Sequence, residues 1–156
     1  MAEMIISIGV LAVTGIVVLN LFLTARTLDR KAMELDRSVL LASGMIEAFK
    51  AGEDSLDFQQ HEWMARSVVS QQPDGWTAIL TYNEAWETAK TEEDILFSVT
   101  VTCTRDPGAD PAGYWRIRVK VEREKPYYPE KVGERLYSLD GAAFFPAEIG
   151  KEGGVV

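Results

Sequence analysis

The sequence predicts an α+β protein in which one long N-terminal helix packs on a small antiparallel β-sheet. Three observations support this prediction. An uncharged run extends from Met4 to Leu23, apolar residues recur every three or four positions from Leu28 to Phe49, and three later segments alternate apolar with polar residues. A helical period that changes to a period of two is typical of a helix followed by strands.

The uncharged run is long enough to cross a membrane, because about 20 helical residues extend roughly 30 Å, the thickness of a bilayer's hydrocarbon core. Glu3 directly precedes it, and Arg26, Arg30 and Lys31 follow it. No basic segment precedes the run and no small-residue cleavage site follows it, so we expect a retained anchor rather than a signal peptide. If Met1 is the true start, the positive-inside rule places the C-terminal side in the cytoplasm. Residues 1–25 are therefore predicted to form a transmembrane or assembly helix.

The same helix is predicted to continue through residues 26–52 as an amphipathic segment that ends near Gly52. Its apolar stripe has the spacing of a short heptad seam. We interpret this stripe as the surface that packs on the sheet, and a separate coiled-coil dimer is the alternative. The main residues of the predicted seam are Leu28, Leu35, Val39, Ile46 and Phe49.

Residues 53–156 are predicted to form a globular α+β head. Ser55 is a candidate cap for a second helix that reaches about Ser70, and a turn follows at residues 71–75. Three strands with one apolar face come next, and the single cysteine, Cys103, occupies a buried position of the second. A last strand is predicted over Glu134–Leu139, with a turn at Asp140–Gly141. The apolar positions of the three alternating strands are Trp76, Ala78, Leu80, Tyr82, Phe97, Val99, Val101, Cys103, Trp115, Ile117, Val119 and Val121.

The charge of the chain disfavours nucleic acid as a main partner, because 24 acidic residues outnumber 16 basic ones and the net charge is −8. Arg116, Arg118 and Lys120 alternate along one strand; a solvated face is the favoured interpretation and a local phosphate-binding stripe the alternative. No motif indicates an enzyme, and no cofactor is expected. Calcium remains an open alternative at two acidic groups: Glu53, Asp54 and Asp57, and Asp106 and Asp110.

The segment from Glu3 to Ala12, EMIISIGVLA, resembles the N-terminus of type IV pilins and type II secretion pseudopilins. The mature chains of that family open with an aromatic residue, a few small or apolar residues, a glutamate and an unbroken apolar run. Met1-Ala2-Glu3 matches the end of this motif, and the strand at 114–121, YWRIRVKV, is similar to the family's strand pattern. The chain departs from the family in lacking a basic leader, a peptidase site and an aromatic first residue.

The resemblance implies a minor pilin or pseudopilin, a non-enzymatic subunit of a type IV pilus-like, secretion or competence filament. It implies that Glu3 pairs with the N-terminal amine of a sister subunit, whereas a headgroup position for Glu3 is the alternative. Close packing of sister helices is expected at Gly9, Ala12 and Gly15.

The expected location is the cytoplasmic membrane, with the head outside, and then a filament at the cell surface. We also expect the helix to begin upstream of Met1, after a basic leader removed by prepilin peptidase with N-terminal methylation. This leader would reverse the orientation given by the positive-inside rule. The alternative function is a single-pass membrane protein with an extracytoplasmic binding or sensor head that does not polymerise.

Overall fold

The computed structural model describes residues 2–52, 57–105, 113–125, 127 and 133–145 and confirms the predicted α+β class. One helix packs on a five-stranded antiparallel sheet. In chain order the elements are α1 (Ala2–Ala51), 3₁₀ helices at Asp57–Gln60 and Glu62–Arg66, β1 (Val68–Gln72), β2 (Gly75–Tyr82), a 3₁₀ helix at Glu92–Asp94, β3 (Phe97–Arg105), β4 (Tyr114–Arg123) and β5 (Glu134–Phe144).

The long helix is continuous over 50 residues, which corresponds to about 75 Å. It ends next to Gly52, as the sequence predicts. The chain divides into two compact units, residues 1–37 and residues 38–156. The boundary therefore lies inside α1, within the segment that the sequence treats as one amphipathic region.

The sheet is a meander in which every strand pairs with its neighbour in sequence, in the order β1-β2-β3-β4-β5. Val99 of β3 lies opposite Leu80 of β2 and Val121 of β4, so that large apolar side chains share one face. The predicted alternation is confirmed in β2, β3 and β4. The opposite face of the sheet carries threonines and charged residues, as expected for a sheet that is covered on one side only.

The core of the head lies between this apolar face and the last four turns of α1. Phe49 is completely buried, and its ring meets Phe58 at 5.9 Å and Phe145 at 5.3 Å in edge-to-face geometry. Phe58 stacks on Trp76 of β2 at 5.9 Å. Cys103 is also buried, and burial raises the pKa of its thiol to about 12, which keeps the thiol protonated at neutral pH. The predicted core position of Cys103 is thus confirmed.

The residues of the predicted seam differ in burial. Ile46 and Phe49 are buried and Val39 is half-buried, but Leu28 is 61% exposed and Leu35 is 42% exposed. In the unit that contains the head, the buried residues of α1 are Ser38, Ala42, Met45, Ile46 and Phe49. A heptad stripe drifts by about 20° per heptad on a straight helix, so three heptads separate Leu28 from Phe49 by roughly 60° of rotation.

The predicted second helix over residues 55–70 is wrong in the part that the structure describes. Two 3₁₀ helices cover 57–60 and 62–66, and Val68–Gln72 form the edge strand β1. His61 caps the second 3₁₀ helix by accepting a hydrogen bond at Nδ1 from the Trp63 backbone N–H. β-branched Val68 and Val69 favour a strand, and pairing with β2 across the turn at 73–74 outweighs the helical pattern.

The predicted end of the last strand at Leu139 is also wrong, because β5 continues through Asp140 and Gly141 to Phe144. Gly141 lies opposite Ile117 in the sheet. A Cβ atom at this position would come within 2.7 Å of Ile46 Cγ2 on α1. The glycine therefore permits close helix–sheet contact, a role that a local Asp-Gly turn signal does not reveal.

Candidate assembly interface

The first half of α1 is the candidate interface, because all its described side chains from residue 3 to residue 26 are exposed. They include large apolar groups on every side of the helix, such as Leu11, Val13, Leu19 and Leu21. This helix is long and apolar enough to cross a membrane. An α-helix that is apolar all round requires lipid or other apolar helices around it.

The hydroxyl groups in this segment are satisfied within the helix itself. Ser7, Thr14 and Thr24 each donate a hydrogen bond to the backbone carbonyl four residues earlier, at 2.8 to 2.9 Å. Such bonds remove most of the cost of placing a hydroxyl in an apolar medium. Unlike these hydroxyls, the side-chain amide of Asn20 makes no hydrogen bond with any described part of the chain.

Glu3 lies exposed in the first described turn of α1, at the predicted assembly position. A carboxylate is favoured near a helix N-terminus by the helix dipole, by about 0.3–1 kcal/mol at an exposed site. Within a bilayer's hydrocarbon core the same carboxylate costs about 2.5–3.5 kcal/mol. The dipole alone does not offset that cost, so a Glu3 at that depth has to be neutralised, by a positively charged partner or by a proton.

The predicted packing residues Gly9, Ala12 and Gly15 follow one another at intervals of three and lie within a 120° arc of the helix. Apart from the adjoining residues and the backbone of the same helix turns, no atom lies within 4 Å of a Cβ built at Gly9 or Gly15. The open space is compatible with close approach of another helix, and the role of these residues in packing stays a prediction.

The predicted basic stripe lies on the outer face of the sheet, where Arg116 and Arg118 are exposed and Lys120 is half-buried. Arg118 donates hydrogen bonds to both carboxylate oxygens of Asp140, Nε at 2.6 Å and Nη2 at 3.1 Å. Lys120 Nζ lies 2.8 Å from Glu122 Oε1. A cleft of about 620 Å³ lies over this face, but the acidic partners of Arg118 and Lys120 favour the interpretation of a solvated surface.

A second cleft, of about 290 Å³, lies beside the loop that follows β2. The loop is fixed by the Asn83 side chain, whose Oδ1 accepts hydrogen bonds from the backbone N–H groups of Ala85 and Glu87, both at 3.0 Å. Trp86 has a φ of +62°, a conformation that costs a bulky residue roughly 1–3 kcal/mol. Its indole stacks on Phe97 at 4.2 Å, which offsets the strain.

Aromatic rings and charged groups both line this cleft. Trp63, Tyr82 and Trp86 supply the rings, and Glu62, Arg66 and Glu87 supply the charges. Across the described ranges, none of these three charged side chains makes an ion pair. The sequence does not predict this cleft, because it forms where residues of the 3₁₀ helix Glu62–Arg66 meet Tyr82 and the loop that follows β2.

The described residues contain no cluster of three or more metal-ligating side chains. The side chains of both acidic groups considered for calcium lie outside the described residues. Comparison of the chain with protein-family models, with curated proteins and with solved structures finds no match.

Proposed function

We propose that this chain is a structural subunit of a pilus-like or secretion filament, a minor pilin or pseudopilin, with no enzymatic role. The observation that supports the proposal is the contrast within α1. Its first half exposes apolar side chains on all sides, whereas its last turns are built into the core of a small head. Such a helix serves to join a head to an apolar assembly of other helices.

The first half of α1 has similar apolar surroundings before and after assembly. Before assembly lipid covers the apolar side chains, and the chain is a single-pass protein of the cytoplasmic membrane with its head outside. In the filament the helices of sister subunits take the place of lipid, and the heads are displayed at the cell surface. In an apolar medium the hydrophobic effect does not drive helices together, so close packing has to stabilise their contact. Gly9, Ala12 and Gly15 are small enough to allow such packing.

Glu3 gives the assembly its register in this proposal. Its carboxylate pairs with the N-terminal amine of a neighbouring subunit, an arrangement that neutralises both charges away from water. Without this pair, no electrostatic interaction favours one axial position of the subunit in the filament over another. A minor rather than a major subunit is favoured by the small head and by the single cysteine, which excludes an intramolecular disulfide.

The test is the substitution Glu3→Ala in cells that carry the assembly machine. We expect the sheared filament fraction to lose the protein by at least about tenfold, which corresponds to about 1.4 kcal/mol, while its amount in the membrane is unchanged. Glu3→Gln should behave in the same way, because the amide keeps the size of the side chain and removes its charge. Glu47→Ala is the matched control, since Glu47 is an exposed glutamate on the same helix.

Normal incorporation of both Glu3 variants would contradict the assembly role of this residue. Absence of the wild-type protein from sheared filaments, with normal amounts in the membrane, would favour the rival function of a membrane-anchored binding or sensor head. Immunoblots of the two fractions from the same cells separate these outcomes.

A further inference from the structure

We propose that the cleft beside the β2 loop binds a small organic cation of the quaternary ammonium class, such as the choline group. This activity goes beyond the proposed filament role and does not depend on it. The juxtaposition that supports it is a set of three aromatic rings with two carboxylates that have no ion-pair partner among the described residues.

The aromatic rings provide the surface that such a cation requires. An ammonium group with attached methyl groups is attracted to the negative face of an aromatic ring, and tryptophan is the strongest partner. Trp63, Tyr82 and Trp86 all line the cleft, and the centroids of the Tyr82 and Trp86 rings are 6.3 Å apart. The methyl groups of the cation bury apolar surface against the same rings.

The charges of the cleft select a cation over a neutral or anionic ligand. Glu62 and Glu87 contribute two negative charges, and Arg66 contributes one positive charge. The net charge of the whole chain, −8, raises the local concentration of cations further. An anion would be attracted by Arg66 alone and repelled by both carboxylates.

The backbone of the loop is built to hold Trp86 in place. Besides the two bonds to the Asn83 side chain, the Trp86 N–H donates to the Asn83 carbonyl at 3.0 Å, and the Asn83 N–H donates to the Glu87 carbonyl at 2.9 Å. Thr88 then forms a bridge back to Tyr82. A ring held in this way loses little conformational freedom when a ligand binds.

The size of the cleft restricts the ligand to a small group. Its volume of about 290 Å³ is just below the range of about 300–1,000 Å³ for drug-sized ligands. A trimethylammonium group with a short tail suits this volume. The group occurs both as free choline and in the phosphocholine headgroup of lipids, and the two sources differ by a phosphate.

The experiment is a titration of the full-length protein in a detergent with an uncharged sugar headgroup, at constant ionic strength. We expect choline to change the tryptophan fluorescence saturably, with a Kd of about 1–10 mM, as a few cation–π contacts provide. The neutral isostere 3,3-dimethylbutan-1-ol should bind at least about tenfold more weakly. Equal responses to choline, to this alcohol and to sodium chloride would overturn the proposal.

Substitutions that change only charge keep the test independent of folding. Glu62→Gln with Glu87→Gln should weaken choline binding by about tenfold, and Arg66→Gln should strengthen it about threefold, because a like charge is removed. Glu92→Gln, an exposed acid that does not line the cleft, should have no effect. Unchanged affinity in the double variant would overturn the proposal.

Glycerophosphocholine distinguishes the two sources of the ligand. Binding weaker than that of choline supports a free cation, because Glu62 and Glu87 repel the phosphate. Binding as tight or tighter supports a lipid headgroup. No saturable binding of either compound would overturn the proposal for both sources.

Discussion

The two halves of α1 are equally helical but have opposite surroundings. From residue 3 to residue 26 every described side chain is exposed, whereas Ala42, Met45, Ile46 and Phe49 are buried in the head. The presence of large apolar residues alone does not distinguish the halves, because both carry Ile, Leu, Val and Phe. The distribution does: apolar residues surround the first half and occupy one side of the second. Distribution therefore indicates whether a helix needs an external apolar medium or only the sheet of its own chain.

The largest effect expected from this comparison is at Phe49, which is fully buried among aromatic rings. Phe49→Ala should lower the free energy of unfolding of the head by about 3–5 kcal/mol, through lost burial and the cavity that remains. Leu40→Ala, 73% exposed on the same helix, should change it by less than about 0.5 kcal/mol. Denaturant unfolding of the full chain in detergent micelles, followed by tryptophan fluorescence, measures both, because all four tryptophans are in the head.

Equal losses in the two variants would mean that burial in the head does not distinguish the positions. Packing of α1 on the sheet would then not account for the difference between the two halves of the helix.

A smaller effect is expected at Gly141, where a strand of the sheet lies close to α1. Gly141→Ala places a methyl group 2.7 Å from Ile46 Cγ2 and should cost about 1–3 kcal/mol of head stability through overpacking. Gly9→Ala is the matched substitution in the first half, where a Cβ meets nothing within 4 Å, and should leave head unfolding unchanged. The same denaturation experiment measures both.

A double variant locates the origin of the cost. In Ile46→Ala the clashing atoms are absent, so the added methyl at Gly141 should cost less than it does in the wild-type background. An identical cost in both backgrounds would assign the effect to the strand itself rather than to contact with the helix.

The sequence predicted the parts of this fold that depend on local periodicity. The full length of α1 followed from an apolar period of about 3.6 residues, and the buried positions of β2, β3 and β4 followed from a period of two residues. β1 was missed because residues 68–70 were assigned to the predicted second helix, and only pairing with β2 makes them a strand. Gly141 was interpreted as a turn because its contact is with Ile46, 95 positions earlier in the chain.

The two candidate sites differ in the same way. The first half of α1 is one continuous segment, so its apolar run and Glu3 were visible in the sequence. The aromatic cleft was not visible, because it combines the 3₁₀ helix Glu62–Arg66 with Tyr82 and the loop that follows β2. The positive φ of Trp86 has no sequence signal, since a glycine or asparagine would be expected there.

The smallest effect is expected at the ion pair between Arg118 and Asp140 on the outer face of the sheet. Breaking this pair tests whether contact without burial stabilises the head. The two hydrogen bonds from Arg118 lower the pKa of Asp140, with a further contribution from the positive charge of Arg116. A carboxyl group with a lowered pKa stabilises the folded state fully above its unfolded value of about 3.9. This stabilisation is lost as the pH falls through the folded pKa.

Arg118→Gln should therefore raise the pKa of Asp140 toward its ordinary value, although Arg116 still keeps it slightly lowered. Because both side chains are exposed, we expect little change in the denaturation midpoint at pH 7. Carbon-13 NMR titration of the aspartate carboxyl groups measures the pKa shift, and Lys90→Gln, an exposed cation outside this face, is the control. If the pKa of Asp140 stays unchanged in Arg118→Gln, the ion pair is contradicted. If Arg118→Gln destabilises the head as much as Phe49→Ala does, contact without burial stabilises as well as burial does. That result would contradict the argument that burial separates the two halves of α1.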